Sequence, residues 1–190
     1  MRIIGGTLKG RRLNAPEGRT TRPMTDRIRE SLFDIIAHHD WGDVIGDPLD
    51  GTEVLDAFCG TGALAFESLS RGAVHAVLFD KNKQALLTAQ ENAGALGLKT
   101  ACRIMPVNAT MPPKATAPCQ LVFLAPPYRK GLVLPALAAL DKAGWIAPEA
   151  LIVIEVARGE SLELPSTYDV LLSRTYGGTT LHFAALQNKE

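Results

Sequence analysis

The sequence predicts an α/β protein: a mostly parallel sheet of seven strands covered by helices, with an antiparallel hairpin at its end. Three observations predict it. From residue 53 onward, short apolar runs alternate with segments of helical period, the order that lays parallel strands side by side. A glycine turn follows the first of those runs directly. Near the C-terminus, two strand-like runs flank Gly177-Gly178, a strong hairpin signal.

Residues 1–16 read as a short hairpin, RIIGG and KGRRLNAP joined by a turn, with glycines where the backbone must bend. The loop EGRTTRPM follows. An amphipathic helix is predicted from Thr25 to His38, because Ile28, Leu32, Ile35 and Ile36 share one face. Thr25 suits the N-cap, and Asp26 in the first turn suits the helix dipole. The stretch DWGDVIGDPLDG reads as a turn-rich connection.

The alternating region then begins. EVLDAF (53–58) is the first strand, and Gly60 and Gly62 turn the chain into a helix that runs to about Arg71. AVLFD (76–80) is the second strand. Asn82 caps a helix that ends at Leu96, with Gly97 as its terminator. RIMPV (103–107) and QLVFL (120–124) are the third and fourth strands, separated by the loop MPPKATAP. A helix is predicted over 132–143, with Pro135 tolerated in its first turn. ALIVIEV (150–156) is the fifth strand, and the terminal hairpin supplies the last two. No internal repeat or linker interrupts this order. Residues 1–190 are therefore expected to form one domain, with a basic hairpin-and-loop extension over 1–24 and a helix and core over 25–190.

Composition narrows the class. The chain has 190 residues, 46% hydrophobic and 21% charged, which fits a globular protein of one domain. No apolar run approaches the roughly 20 residues that span a bilayer, and the first residues lack the apolar core of a signal peptide. A cytoplasmic location, without a membrane, is expected. Cys59, Cys102 and Cys119 are widely spaced, and the four histidines form no ligand pattern, so neither disulfides nor a metal are expected. The zero net charge conceals an asymmetry. Residues 1–30 carry eight basic and three acidic side chains, so this segment is +5 and the remainder −5. A basic arm on an acidic body suits local contact with a polyanion.

The glycine loop carries the first chemical signal. Asp56-Ala57-Phe58-Cys59-Gly60-Thr61-Gly62 lies at the end of a strand and opens a helix, where backbone N–H groups can approach a cofactor. Asp80 ends the next strand, placed to accept bonds from ribose hydroxyls. Two cofactor classes fit so far. A nicotinamide dinucleotide matches Gly60, Gly62 and Ala65. S-adenosylmethionine matches the acidic Asp56 ahead of the glycines, close to a cationic amino-acid end.

Pro126-Pro127-Tyr128, after the fourth strand, decides between them. An exocyclic amine on a base is a weak nucleophile because its lone pair is delocalised into the ring. A rigid loop offering the Pro126 carbonyl as acceptor can orient that amine, and Tyr128 offers a ring for stacking. This arrangement belongs to amino methyl transfer.

These motifs resemble the RsmD family, bacterial methyltransferases of a guanine N2 in 16S ribosomal RNA. The resemblance covers nearly the whole chain. Its most specific part is Arg22-Pro23-Met24-Thr25-Asp26-Arg27-Ile28-Arg29-Glu30 with the hairpin before it, and YGGTTLHF closes it. It implies a class I, Rossmann-like methyltransferase fold, S-adenosylmethionine as donor, and the small ribosomal subunit or its assembly intermediate as partner of a monomer. It assigns Asp56 and the loop Gly60, Thr61 and Gly62 to the methionine end, with Phe58 also a cofactor-binding residue. Asp80 goes to the ribose and Asn108 lies near the adenine, with Lys81 and Ala109 also counted among the cofactor-binding residues. Arg11, Arg12, Arg22, Thr25, Asp26 and Arg29 go to RNA. Ala125, Pro126, Pro127 and Tyr128 form the catalytic segment.

Ala125 departs from the family, whose segment begins with Asp or Asn. A methyl side chain accepts no hydrogen bond, and losing one preorganised polar contact can cost on the order of 10²–10³ in rate. Impaired or rerouted catalysis is expected, with Asp26 one candidate for the missing oxygen. The competing readings are a non-catalytic binder in ribosome assembly, an adenine-N6 DNA methyltransferase and a nicotinamide-dependent dehydrogenase.

Overall fold

The computed structural model describes residues 1–15 and 24–187. Arg22 and most of the loop EGRTTRPM lie outside the described residues. The elements run α1 (Asp26–His38), α2 (Gly42–Ile45), β1 (Glu53–Asp56), α3 (Ala63–Ser70), β2 (His75–Asp80), α4 (Lys83–Leu96), β3 (Cys102–Pro106), β4 (Cys119–Leu124), α5 (Val133–Lys142), β5 (Ile146–Ala157), β6 (Tyr168–Tyr176) and β7 (Thr179–Leu186). Among the described residues, seven strands form one sheet in the order β3-β2-β1-β4-β5-β7-β6. Strands β1 to β5 pair in parallel, and β7 joins β5 antiparallel with β6 outside it.

The fold class and strand count agree with the sequence reading. The period-two alternation of the central strands divides two cores. Val54, Leu121, Phe123, Leu151 and Val153 face α1, α3 and α4, while Leu55, Val122, Leu124, Ile152 and Ile154 face α5. Burying a large apolar side chain is worth about 1.5–3 kcal/mol, so this two-sided burial fixes the register.

Differences sit at element ends. A short helix, α2, replaces the expected turn, because Asp40 accepts from Gly42 N (2.9 Å) and the buried Trp41 donates to Ile36 O (3.0 Å). β1 stops at Asp56, not 58, as Ala57 N turns to Phe123 O (3.0 Å) and Cys59 N to Phe79 O (2.8 Å). β5 starts earlier, at Ile146, which pairs with Cys119 ahead of a register shift.

The N-terminal hairpin forms as an Arg2–Arg12 bridge with Ile3 N bonded to Arg11 O (2.9 Å). It is held against α3. The buried Glu67 carboxylate accepts from Ile4 N and Gly5 N, each at 2.7 Å, and Ser70 Oγ donates to Gly5 O (2.6 Å) and accepts from Leu8 N (2.9 Å).

Candidate active site

The strand order reverses between β1 and β4, so the loops after those strands part and leave a crevice at their C-terminal ends. Asp56 closes β1 there. It is 1% exposed, and among the described residues neither carboxylate oxygen has a hydrogen-bond partner. Burial drives its pKa from 3.8 up to about 7; the Phe58 and Ala65 backbone groups oppose the rise without bonding geometry, while Asp80 and Glu155 add to it. A buried carboxylate without a donor is costly unless a cation comes to meet it.

The loop beyond Asp56 is shaped for close approach. Gly60 has φ 51° and open space where a Cβ would stand. Gly62, at φ 80°, begins α3, and a Cβ there would meet Phe66 at 2.4 Å. Gly60 N donates to Asp80 Oδ2 (3.0 Å), and Asn82 N donates to Oδ1 (2.8 Å). Asp80 is thus anchored from both sides, and each oxygen retains a lone pair for a ligand hydroxyl. Lys81 beside it is exposed. Asn108 shapes its own turn, with Oδ1 accepting from Thr110 N (3.1 Å) and Thr110 Oγ1 (3.0 Å), while Ala109 is buried behind it. Phe58 and Thr61 are half-buried at the loop. The orphaned Asp56 oxygens and the open cradle at Gly60 fit a cofactor with a cationic end.

Across the crevice, Ala125 is half-buried, Pro126 buried and Pro127 exposed. The Tyr128 hydroxyl bonds to Glu155 Oε1 and to Thr179 Oγ1, the latter at 2.7 Å, which fixes the ring at the ends of β5 and β7.

The RNA candidates divide. Arg11 and Arg12 are exposed, although Arg11 Nη2 also donates to Ala95 O (2.6 Å). Thr25 caps α1, with Oγ1 accepting from Ile28 N (3.3 Å). Asp26 Oδ1 pairs with Arg29 (3.0 Å), and Oδ2 lies 3.9 Å from Arg2. Arg29 corrects the expectation of a surface contact. It is 1% exposed, donates to Arg2 O and lies 3.9 Å from Glu67. The pattern of α1 puts Arg29 on the polar face with Asp26, Glu30 and Asp34, but the buried stripe is Arg29, Leu32, Phe33 and Ile36, at helical spacing, which carries Arg29 inward to pin the hairpin.

Three residues went unread in the sequence. Glu67 is the hub of the hairpin clamp, pairing also with Arg71 (2.8 Å). Asn92 on α4, 1% exposed, accepts from Asn14 N (2.7 Å) and donates to Asn14 O (3.1 Å) and to Thr61 O (3.0 Å). It therefore bonds the arm and the glycine loop at once. Glu155 is the third; a lone carboxylate inside the apolar run ALIVIEV is a signal that could have found it. Elsewhere, a depression of about 410 Å³ lined by Trp41, Pro148 and Leu171 lies at the other end of the sheet, away from this chemistry.

A seven-stranded sheet of this order, with an acidic strand end, a glycine loop and a proline-rich segment facing each other at its switch point, defines a class I methyltransferase. Residues 1–185 match the family described as Conserved hypothetical protein 95. The chain belongs to that family, the RsmD family of methyltransferases. It is 39% identical over 157 residues to "Ribosomal RNA small subunit methyltransferase D" of Escherichia coli, covering 82% of this chain and 74% of that one. It is 34% identical over 186 residues to "Putative rRNA methyltransferase YlbH" of Bacillus subtilis, covering 94% and 95%. The solved structure of "Putative methyltransferase yhhF" from Escherichia coli superposes with a TM-score of 0.84 at 31% identity, over 100% of this chain and 99% of that one.

Proposed function

We propose that this methyltransferase transfers a methyl group from S-adenosylmethionine to the exocyclic N2 of a guanine in 16S rRNA of the small ribosomal subunit, acting in the cytoplasm as a monomer. The observation that carries the reading is the buried, unpartnered Asp56 carboxylate beside the glycine loop, facing the Pro126-Pro127-Tyr128 segment across one crevice. The names of the relatives supply the ribosomal substrate class.

When bound, the donor supplies an electrophilic methyl group on a sulfonium. Asp56 pairs with its cationic amino-acid end, the Gly60–Gly62 backbone wraps it, and Asp80 accepts from ribose hydroxyls. Asn108 and Ala109 border the adenine. On the acceptor side, the Pro126 carbonyl takes one N–H of the target amine and the pinned Tyr128 ring supports the base. Arg11 and Arg12 meet the phosphates, with Arg22 proposed beside them.

Labelled-methyl transfer to small subunits lacking the mark tests this, with the product nucleoside identified by chromatography against methylguanosine and methyladenosine standards together with mass. N2-methylguanosine is the expected product; N6-methyladenosine would move the chain to the adenine class. A second reading rests on Ala125: a ribosome-assembly binder without turnover. It predicts tight particle binding and no transfer with donor present.

A further inference from the structure

Ala125 leaves the crevice one acceptor short, and Glu155 stands next to it. The β4–β5 ladder ends at Leu124 paired with Ile154, so the next positions along the two strands are Ala125 and Glu155, on parallel strands about 4.8 Å apart. Both fall on the face of Phe123 and Val153, since side chains alternate, and Ala125 packs against that cluster. Asp56 shares the face, two residues after Val54. Glu155 from β5 is therefore level with Ala125, while Asp56 from β1, level with Phe123, lies one step back on the same face. The two carboxylates are close enough that the charge on Glu155 adds to the rise of the Asp56 pKa.

Glu155 has acceptor capacity to spare. It is 9% exposed, and its Oε1 receives the Tyr128 hydroxyl. A carboxylate offers about four lone-pair sites, so this bond orients the group without saturating it. Burial raises its pKa, opposed by the Tyr128 hydrogen bond, which makes it a stronger base than an exposed Glu. Asp26, the other candidate oxygen, is already engaged by Arg29 and Arg2.

We infer that Glu155 is the side-chain acceptor for the target amine. The inference rests on the amine-methylation reading above. Glu155 takes a hydrogen bond from one exocyclic N–H while the Pro126 carbonyl takes the other. As the nitrogen–carbon bond forms, the carbon–sulfur bond breaks and its electron pair stays on sulfur. The nitrogen sheds its surplus proton to the Glu155 carboxylate, which returns it to water.

The test compares methyl transfer to small subunits lacking the mark by the unaltered chain, Glu155→Gln, Glu155→Ala, Ala125→Asp and the Ala125→Asp/Glu155→Ala double variant. Calorimetric affinity for S-adenosylhomocysteine is measured on each. Glu155→Gln keeps the shape and a partner for Tyr128 while removing the base. The expected result is transfer by the unaltered chain, a loss of about 10²–10³-fold in Glu155→Ala, a smaller loss in Glu155→Gln, whose amide oxygen still accepts, and S-adenosylhomocysteine affinity within threefold in both. Ala125→Asp then restores at least tenfold in the Glu155→Ala background and little where Glu155 is present, a rescue that a structural role would not give. Glu155→Ala within threefold of the unaltered chain overturns the inference. So does equal loss of ligand affinity and rate, or absence of rescue. Transfer only after Ala125→Asp overturns it while keeping the amine-methylation reading; no transfer by any variant removes both.

Discussion

Asp56 sets two opposing pH dependences. Its cation-binding form is the carboxylate, so lowering pH from 8 to 6, through a pKa of about 7, is expected to weaken S-adenosylhomocysteine binding by about tenfold. Calorimetry across that range checks it, and Asp56→Asn should bind more weakly and lose the dependence. Folding of the free protein responds the other way. Between 3.8 and about 7 the native state holds a proton that the unfolded chain has released, so stability is lost as pH rises through that window, by roughly 4 kcal/mol. Asp56→Asn should therefore raise Tm at pH 8 and leave it nearly unchanged at pH 4. A Tm gain of equal size at both pH values would show that the charge is not the cause. Asp80→Ala should weaken the same ligand severalfold, and unchanged affinity would remove Asp80 from the site. Cys59 lies in the same loop, yet burial and then the Asp56 and Asp80 charges push its thiol pKa up, so alkylation at pH 7.5 should proceed no faster than after unfolding.

Two helices tie the arm to the crevice. Helix α3 begins at the glycine loop and ends at the Glu67–Ser70 clamp, and α4 bonds both partners through Asn92. Glu67→Ala takes away one of the two carboxylates beside the buried Arg29, whose pair with Asp26 remains, and leaves the Ile4 and Gly5 N–H groups without acceptors. A loss of about 3–5 kcal/mol is expected in denaturant unfolding, with faster hydrogen exchange at Ile4 and Gly5. Asn92→Ala removes three hydrogen bonds to backbone, a loss of about 1–3 kcal/mol. It should also weaken S-adenosylhomocysteine binding through the freed Thr61 carbonyl. Stability lost with no change in that affinity would confine Asn92 to holding the arm.

At the scale of the molecule, the +5 over residues 1–30 against −5 over the remainder predicts salt-dependent RNA binding through the arm. Arg11→Ala and Arg12→Ala should each lower the slope of log affinity against log salt by about 0.7–0.9 for every phosphate left unneutralised, whereas Arg29→Ala should act through unfolding. An unchanged slope in the first two would place the RNA surface elsewhere. Much of this is legible in the sequence, because strands and helices follow hydrophobic period, and Asp56, Gly60, Gly62 and Asp80 sit at strand ends that period locates. The roles of Arg29, Glu67, Asn92 and Glu155 are not. Each is polar in a segment whose pattern speaks only of apolar faces, and its role depends on a partner far away in sequence. The hairpin clamp also has a consequence for biosynthesis. Ile4 lies 63 residues before Glu67, and Asn14 lies 78 before Asn92. The hairpin is therefore fastened only after α3 and α4 have followed it out of the ribosome, and a nascent chain spends that interval with this basic arm undocked.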